Sequence, residues 1–187
     1  TIREARRIFY PDPVEAAAIC EDAGCDSIVC HLREDRRHIK DSDVRRLRET
    51  IMMRLNLEMS IAKDIVNIAC LVNPDQAPLV PEKRKELTTE GGLDVVGNFN
   101  KIKKAVQKLQ DSGIKISLFV DPEEDQIYAA KKIGADCIEL HTGLYSEARS
   151  ARLQNILLQQ LKKLTALADS LKIDVNAGHG LTYDNVK

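Results

Sequence analysis

Two rhythms of apolar residues alternate along this chain. Leu55-Asn-Leu57-Glu58-Met59 alternates strictly, which sets Leu55, Leu57 and Met59 on one face of a strand and Asn56 and Glu58 on the other. Apolar runs at Cys25–His31, Ala77–Glu82, Lys115–Val120, Ala135–His141 and Ile173–Gly180 read as further strands. Between them, apolar positions return every three or four residues, the spacing of a helix face. A helix starts at Pro13, capped by Asp12, and Gly24 stops it. The next starts at Asp41, with Val44, Leu47 and Ile51 inward. Others are predicted around Ile61, Ile65 and Ile68, around Ile102, Val106 and Leu109, and around Ile127, Ala130 and Ile133. The longest carries Leu153, Leu157, Leu161, Leu164 and Leu167, and a last one is expected to begin at Thr182.

One unit occurs twice. Asp12-Pro13, a helix, Gly24-Cys-Asp26, a strand and His31 are matched by Asp121-Pro122, a helix, Gly134-Ala-Asp136, a strand and His141. In the second copy Asp121 is expected to cap its helix and Glu124 to complete a capping box. Strands alternating with helices predict an α/β protein with a parallel sheet, either a closed barrel or an open doubly wound sheet. The order of elements does not separate these, but polar residues mark nearly every strand exit: His31 and Arg33, Glu58, Glu82 and Lys83, Asp121, Glu139 and His141, Asn176 and His179. A TIM (β/α)8 barrel gathers all such ends around one mouth, whereas an open sheet gathers only those at its switch point. About six units are present, so residues 1–187 are expected to be a single barrel domain incomplete at both ends, its first strand before Thr1 and its last beyond Lys187.

Composition narrows the function. A net charge of -1, with 43% hydrophobic and 30% charged residues, suits a cytoplasmic globular protein and offers no general attraction to nucleic acid or membranes. No apolar run approaches the ~18 residues of a membrane span, and the opening residues do not read as a signal peptide. The five cysteines (Cys20, Cys25, Cys30, Cys70 and Cys137) fall on predicted helices and strands, without metal-ligand spacing, and their odd number argues against a disulfide framework. No metal site is expected.

The chemistry-bearing residues sit at the exits. His31-Leu-Arg33-Glu-Asp-Arg-Arg-His38 follows a buried strand directly, so an imidazole and guanidiniums emerge at the rim where α/β proteins do their chemistry. Glu58, on the inward face, would have its pKa raised toward a general-base range by poor hydration. Glu139 follows the same logic on another strand, with a structural ion pair as the competing role. His179, between Gly178 and Gly180, lies on a turn where backbone amides can approach an anion. Thr88, in Thr88-Thr-Glu-Gly-Gly92, offers a hydroxyl from a loop over the mouth. His141 is expected to be a core histidine with a satisfied hydrogen bond.

His31-Leu-Arg-Glu-Asp-Arg-Arg-His38-Ile, Asn56-Leu-Glu58-Met, Leu79-Val-Pro-Glu-Lys-Arg84, Thr88-Thr-Glu-Gly-Gly-Leu-Asp94, Glu139-Leu-His-Thr-Gly143 and Asn176-Ala-Gly-His-Gly-Leu-Thr-Tyr183 together resemble the deoxyxylulose-phosphate-dependent pyridoxine 5′-phosphate synthase family, in unbroken order along the chain. The resemblance implies a (β/α)8 barrel assembled as an octamer, with no metal or organic cofactor. It implies condensation of 1-deoxy-D-xylulose 5-phosphate with 3-amino-2-oxopropyl phosphate, releasing phosphate and water. Carried over by position, His31 and Glu58 would be proton acceptors, His179 a proton donor and Glu139 a transition-state stabiliser. Arg33, His38 and Thr88 would hold the deoxyxylulose phosphate, and Arg6 and Gly180 the aminoketone phosphate. The family's first-strand Asn-x-Asp-His segment would lie before Thr1, and its Gly-rich phosphate loop beyond Lys187.

Two other readings compete. An aldolase-like barrel would want a Schiff-base lysine on an inner strand face, but Lys115 stands at a strand entry and Lys83 just past an exit. A nucleic-acid-binding module could use Arg36, Arg37, Arg45, Arg46 and Arg48. Glu34, Asp35, Asp41 and Asp43 balance that row, and only 4% of residues are aromatic.

Overall fold

The computed structural model describes residues 2–82 and 91–186. In chain order the elements are α1 (Ile2–Arg6), α2 (Pro13–Asp22), β1 (Ser27–Leu32), α3 (Asp41–Thr50), β2 (Arg54–Met59), α4 (Lys63–Val72), β3 (Gln76–Leu79), α5 (Phe99–Asp111), β4 (Lys115–Val120), α6 (Glu124–Ile133), β5 (Cys137–His141), α7 (Gly143–Ser146), α8 (Ala151–Ser170) and β6 (Asp174–Gly178). The strands form one parallel sheet in the order β1-β2-β3-β4-β5-β6. This order decides between the two architectures left open by the sequence. Right-handed crossovers that all step the same way place the connecting helices α3, α4, α5, α6 and α8 on one face. A doubly wound sheet would reverse direction and cover both faces. The chain is a run of six barrel strands, with β1 and β6 unpaired to each other among the described residues.

The core lies between the sheet and its helices. On the helix-facing side Leu55, Leu57, Met59, Ala77, Leu79, Ile116, Leu118, Val120 and Ile138 are fully buried. They meet the inward faces of the helices at Val44, Leu47, Ile65, Ala69, Ile102, Val106, Leu109, Ile127 and Ala130. Each such Leu or Ile side chain contributes roughly 1.5–3 kcal/mol by leaving water. The opposite face carries the other parity of each strand: Asn56 and Glu58, Gln76, Ser117 and Phe119, Glu139, and Asn176.

Capping follows the sequence in the first repeat and departs from it in the second. The Asp12 carboxylate accepts the Val14 N–H at 2.9 Å, as an N-cap should. Asp121 does not cap: α6 begins at Glu124 with Glu123 as its N-cap, and the Asp121 side chain turns instead toward the strand ends. The helix expected from Thr182 is a single turn, with the Asn185 and Val186 N–H groups donating to the Thr182 carbonyl. Ile61 packs against the core from just ahead of α4 instead of within it. Neither α1 nor α7 has enough residues to show a helical period, so both escaped the pattern. Arg3 of α1 pairs with buried Asp43 of α3 and donates to the His38 carbonyl at 2.8 Å, which docks the first segment.

Leu57→Ala should cost ~2–5 kcal/mol by opening a cavity under the sheet. Ile19→Ala, on the exposed face of α2, should stay within ~0.5 kcal/mol, both read by urea denaturation.

Candidate active site

The register of β1 against β2 sets His31 directly beside Glu58 on the inner face. His31 Nδ1 lies 3.6 Å from Glu58 Oε1. The chain leaving β3 continues along β2, with the Val80 N–H donating to the Met59 carbonyl at 3.0 Å, and this brings Glu82 to the other edge of the imidazole. Glu82 Oε1 is 3.0 Å from His31 Nε2, and its Oε2 accepts the Glu34 backbone N–H at 2.7 Å. The Ser60 hydroxyl in turn donates to the Glu34 carboxylate at 2.7 Å. His31 is thus held between two carboxyls, one of them, Glu82, almost wholly enclosed.

A second group forms where β5 meets β6. Glu139 stands beside Asn176 in the register, and its Oε1 lies 3.9 Å from His179 Nδ1. The glycines around His179 serve this packing. A Cβ on Gly178 would fall 2.0 Å from Glu139 Oε1, so only glycine leaves room for the carboxylate. His179 itself adopts φ +80° and Gly180 φ +71°, left-handed conformations that turn the chain away from the sheet. Thr142 Oγ1 clamps that turn by donating to the carbonyls of Gly178 or His179, at 2.6 and 2.7 Å. The His179 ring packs on Phe119 with centroids 4.4 Å apart and meets His141 edge-on at 5.4 Å. His141 Nδ1 is bonded to Asp121 Oδ1 at 3.0 Å, and that same oxygen accepts the Gly92 N–H at 2.9 Å.

The two groups share one electrostatic environment. Burial pushes the Glu58 carboxyl above the usual carboxylate range, and the charges of Glu139 and then Glu82 push it further, with Arg33 opposing. Glu139 acts on Glu58 although β5 and β2 are three strands apart in the sheet order. Glu139 is itself raised by burial, against the pull of His141. Glu82 is raised by burial, with the Glu34 N–H and Arg33 opposing. Burial, reinforced by Arg33, lowers His31 to about 4, and burial with His141 lowers His179. Burial thus weakens the acids and lowers the imidazoles, which draws the two kinds of group closer in proton affinity.

Other expected site residues fall in different places. Arg33 is nearly enclosed and acts electrostatically on His31, Glu58 and Glu82, so it belongs to the group. His38 lines a cavity of about 270 Å³ with Ile2, Arg3 and Pro11, and acts electrostatically on His31. Burial lowers its pKa, and its Nδ1 finds no hydrogen-bond partner among the described residues. Arg6 is exposed at the end of α1 and makes no hydrogen bond or ion pair with this group among the described residues. Thr88 lies outside the described residues. Gly180 follows His179 and packs against Ser146, where a Cβ would come within 2.6 Å of the serine Cβ; a single turn, not a longer helix, follows it among the described residues. Glu82, Asp121 and His141 were not singled out for the site. Position at a strand exit marks all three, and Glu82 and His141 also lie within the strings that carry the family resemblance. His141 does have a satisfied hydrogen bond, as expected, yet it stands against His179. The basic row is largely neutralised: Arg36 pairs with Asp41 and Asp64, Arg37 with Asp35, Arg46 with Asp12 and Arg48 with Asp75. Among the described residues no group of three His, Cys, Asp or Glu is arranged to hold a metal ion, and no helix is long and apolar enough to cross a membrane.

Residues 1–187 match the family model described as "Pyridoxal phosphate biosynthesis protein PdxJ". The chain belongs to the PdxJ family. It is 56% identical over 187 residues to the pyridoxine 5′-phosphate synthase of Geotalea uraniireducens, covering 100% of this chain and 78% of that protein. It is 55% identical over 187 residues to the synthase of Photobacterium profundum, covering 100% and 77%. Among solved structures, this PdxJ-family chain superposes on phosphoribosylanthranilate isomerase from Thermotoga maritima with a TM-score of 0.56 at 14% identity, over 94% of this chain and 74% of the other. It matches mandelate oxidase with a TM-score of 0.60 at 12% identity, over 87% and 56%. At such identities these two likenesses show the fold alone, a TIM-barrel α/β architecture.

Gly178→Ala should displace the Glu139 carboxylate and lower kcat of the full-length protein at least ~10-fold while the far-UV circular dichroism is retained. His31 should shape the acid limb of stability. Its folded pKa of about 4 lies below the ordinary 6.5, so the unfolded chain takes up a proton first and stability falls as pH drops from 6.5 toward 4. In His31→Asn the gap between denaturation midpoints at pH 7 and pH 5 should narrow.

Proposed function

We propose that this chain carries the acid–base machinery of a pyridoxine 5′-phosphate synthase. It condenses 1-deoxy-D-xylulose 5-phosphate with 3-amino-2-oxopropyl phosphate, forming pyridoxine 5′-phosphate, inorganic phosphate and water. The reading is supported by a His31–Glu58 pair and a Glu139–His179 pair, each at the carboxyl ends of strands of one parallel sheet, in a chain 56% identical to a protein of that name. Imine formation, dehydration and ring closure each move protons on and off carbon, nitrogen and oxygen, so several positioned acids and bases are needed.

In this reading Glu58 and His31 accept protons. The raised pKa of Glu58 makes it a stronger base than an exposed carboxylate, and the neutral imidazole of His31 has a lone pair to offer. His179 donates a proton to a departing oxygen, and Glu139, facing the same space, stabilises positive charge that develops in the transition state. Arg33, His38 and Thr88 hold the deoxyxylulose phosphate; Arg6 and Gly180 hold the aminoketone phosphate. Dianionic substrates favour guanidinium forks for this purpose. The reaction uses no metal or organic cofactor. The protein is a cytoplasmic homo-octamer of single-domain barrels that binds neither nucleic acid nor membrane. The nearest alternative, a Schiff-base aldolase, is disfavoured by Lys115, which lies exposed at the entry of β4 and far along the strand from Phe119 and the rim.

The full-length protein given both phosphates should yield pyridoxine 5′-phosphate, detected by chromatography; no product at all would reject the assignment. Glu58→Gln should lower kcat by ~10²–10⁴-fold with KM little changed. Arg33→Ala should instead raise KM for the deoxyxylulose phosphate.

A further inference from the structure

Glu82 has no role in the scheme above, yet it is among the most enclosed carboxyls of the rim, with 6% of its side chain exposed. Both its oxygens are committed. Oε2 takes the Glu34 N–H at 2.7 Å, and Oε1 faces His31 Nε2 at 3.0 Å. A carboxylate that already accepts a backbone N–H has only acceptor capacity left for the imidazole. A neutral imidazole has one N–H to give. With that proton on Nε2, the bare lone pair belongs to Nδ1, the atom 3.6 Å from Glu58.

We infer that Glu82 is a positioning residue for His31: it holds the imidazole in the Nε2–H tautomer and thereby aims the basic Nδ1 at Glu58 and the reacting atoms. This deepens the synthase reading and rests on it for the catalytic consequence, though not for the tautomer. Glu82 touches no reacting atom. It works through His31, as the buried carboxylate of a hydrolase triad works through its histidine. The Ser60–Glu34 bond steadies the loop from which Glu34 offers its N–H, so the ends of β1 and β2 and the chain leaving β3 all contribute to one imidazole's orientation. The groups bearing on His31 are Glu58 from β2, Glu82 from beyond β3, Arg33 from the end of its own strand, and Asp35 and His38 from the segment before α3.

Glu82→Gln discriminates this role from simple support. The glutamine has the same shape, but its carbonyl is required by the Glu34 N–H, which leaves its NH₂ facing Nε2. A donor there forces the imidazole proton onto Nδ1. In ¹⁵N-histidine-labelled full-length protein at pH 7 without substrate, His31 should show a protonated Nε2 and a bare Nδ1, and Glu82→Gln should reverse them. In turnover, Glu82→Gln should lower kcat by ~10²–10⁴-fold with both KM values little changed. The acid limb of its kcat/KM profile should move to lower pH, because a negative neighbour of His31 has been lost. Glu82→Asp, which keeps the charge, should recover part of kcat and the original tautomer. A protonated Nδ1 on His31 in the unaltered protein would overturn the inference even if no variant folded, and so would a Glu82→Gln protein with the original tautomer. An unaltered protein that makes no pyridoxine 5′-phosphate but shows Nε2–H on His31 would reject the synthase reading and leave the tautomer assignment standing.

Discussion

Everything in this chain depends on the parity of its strands. Leu55, Leu57 and Met59 must be buried under helices, and because a strand alternates its side chains, Asn56 and Glu58 have no choice but the other face. The same holds for Ile116 and Leu118 against Ser117 and Phe119, and for Ile138 and Leu140 against Glu139. Hydrophobic burial on the outside, at no expense to chemistry, delivers the polar residues to the inside. A slip of one residue in β2 would bury Glu58 among leucines and take the partner away from His31. The register that stabilises the fold is thus also what assembles the site.

Enclosure then does the electrical work. Water is scarce around Glu58, Glu139 and Glu82, so each carboxyl is less willing to ionise than an exposed one, and the presence of the others adds to the effect at Glu58. The imidazoles of His31 and His179 are shifted toward neutrality by the same burial. Acids and bases drawn together in ionisation tendency exchange protons at small free-energy cost, and this is what a multistep condensation requires. Arg33 restrains the shift, keeping some negative charge tolerable at the rim.

Much of this was legible along the chain because it is local. The helix at Pro13 needs only Asp12 and the proline, and alternation over a few residues was enough to turn Glu58 inward. The second Asp-Pro misled for an equally physical reason. Asp121 has the composition of a cap, but His141 and the Gly92 N–H lie within reach, and the carboxylate goes to them while Glu123 takes the cap position. At Gly178 and Gly180 the pattern suggested an open cradle for an anion. The structure adds a packing reason for both glycines: a Cβ at either would meet Glu139 or Ser146, side chains from elements remote in sequence.

By itself, the sequence determined the alternation of strands and helices, the inward parity of Glu58 and Glu139, and the motifs of the family. These follow from periodicity and from residue types a few positions apart. Only the tertiary structure decided that the sheet runs in unbroken order with helices on one side, that Glu82 reaches His31, and that Asp121 and His141 stand behind His179. Those facts depend on contacts between segments twenty to fifty residues apart, where sheet curl and crossover handedness, not local preference, choose the neighbours.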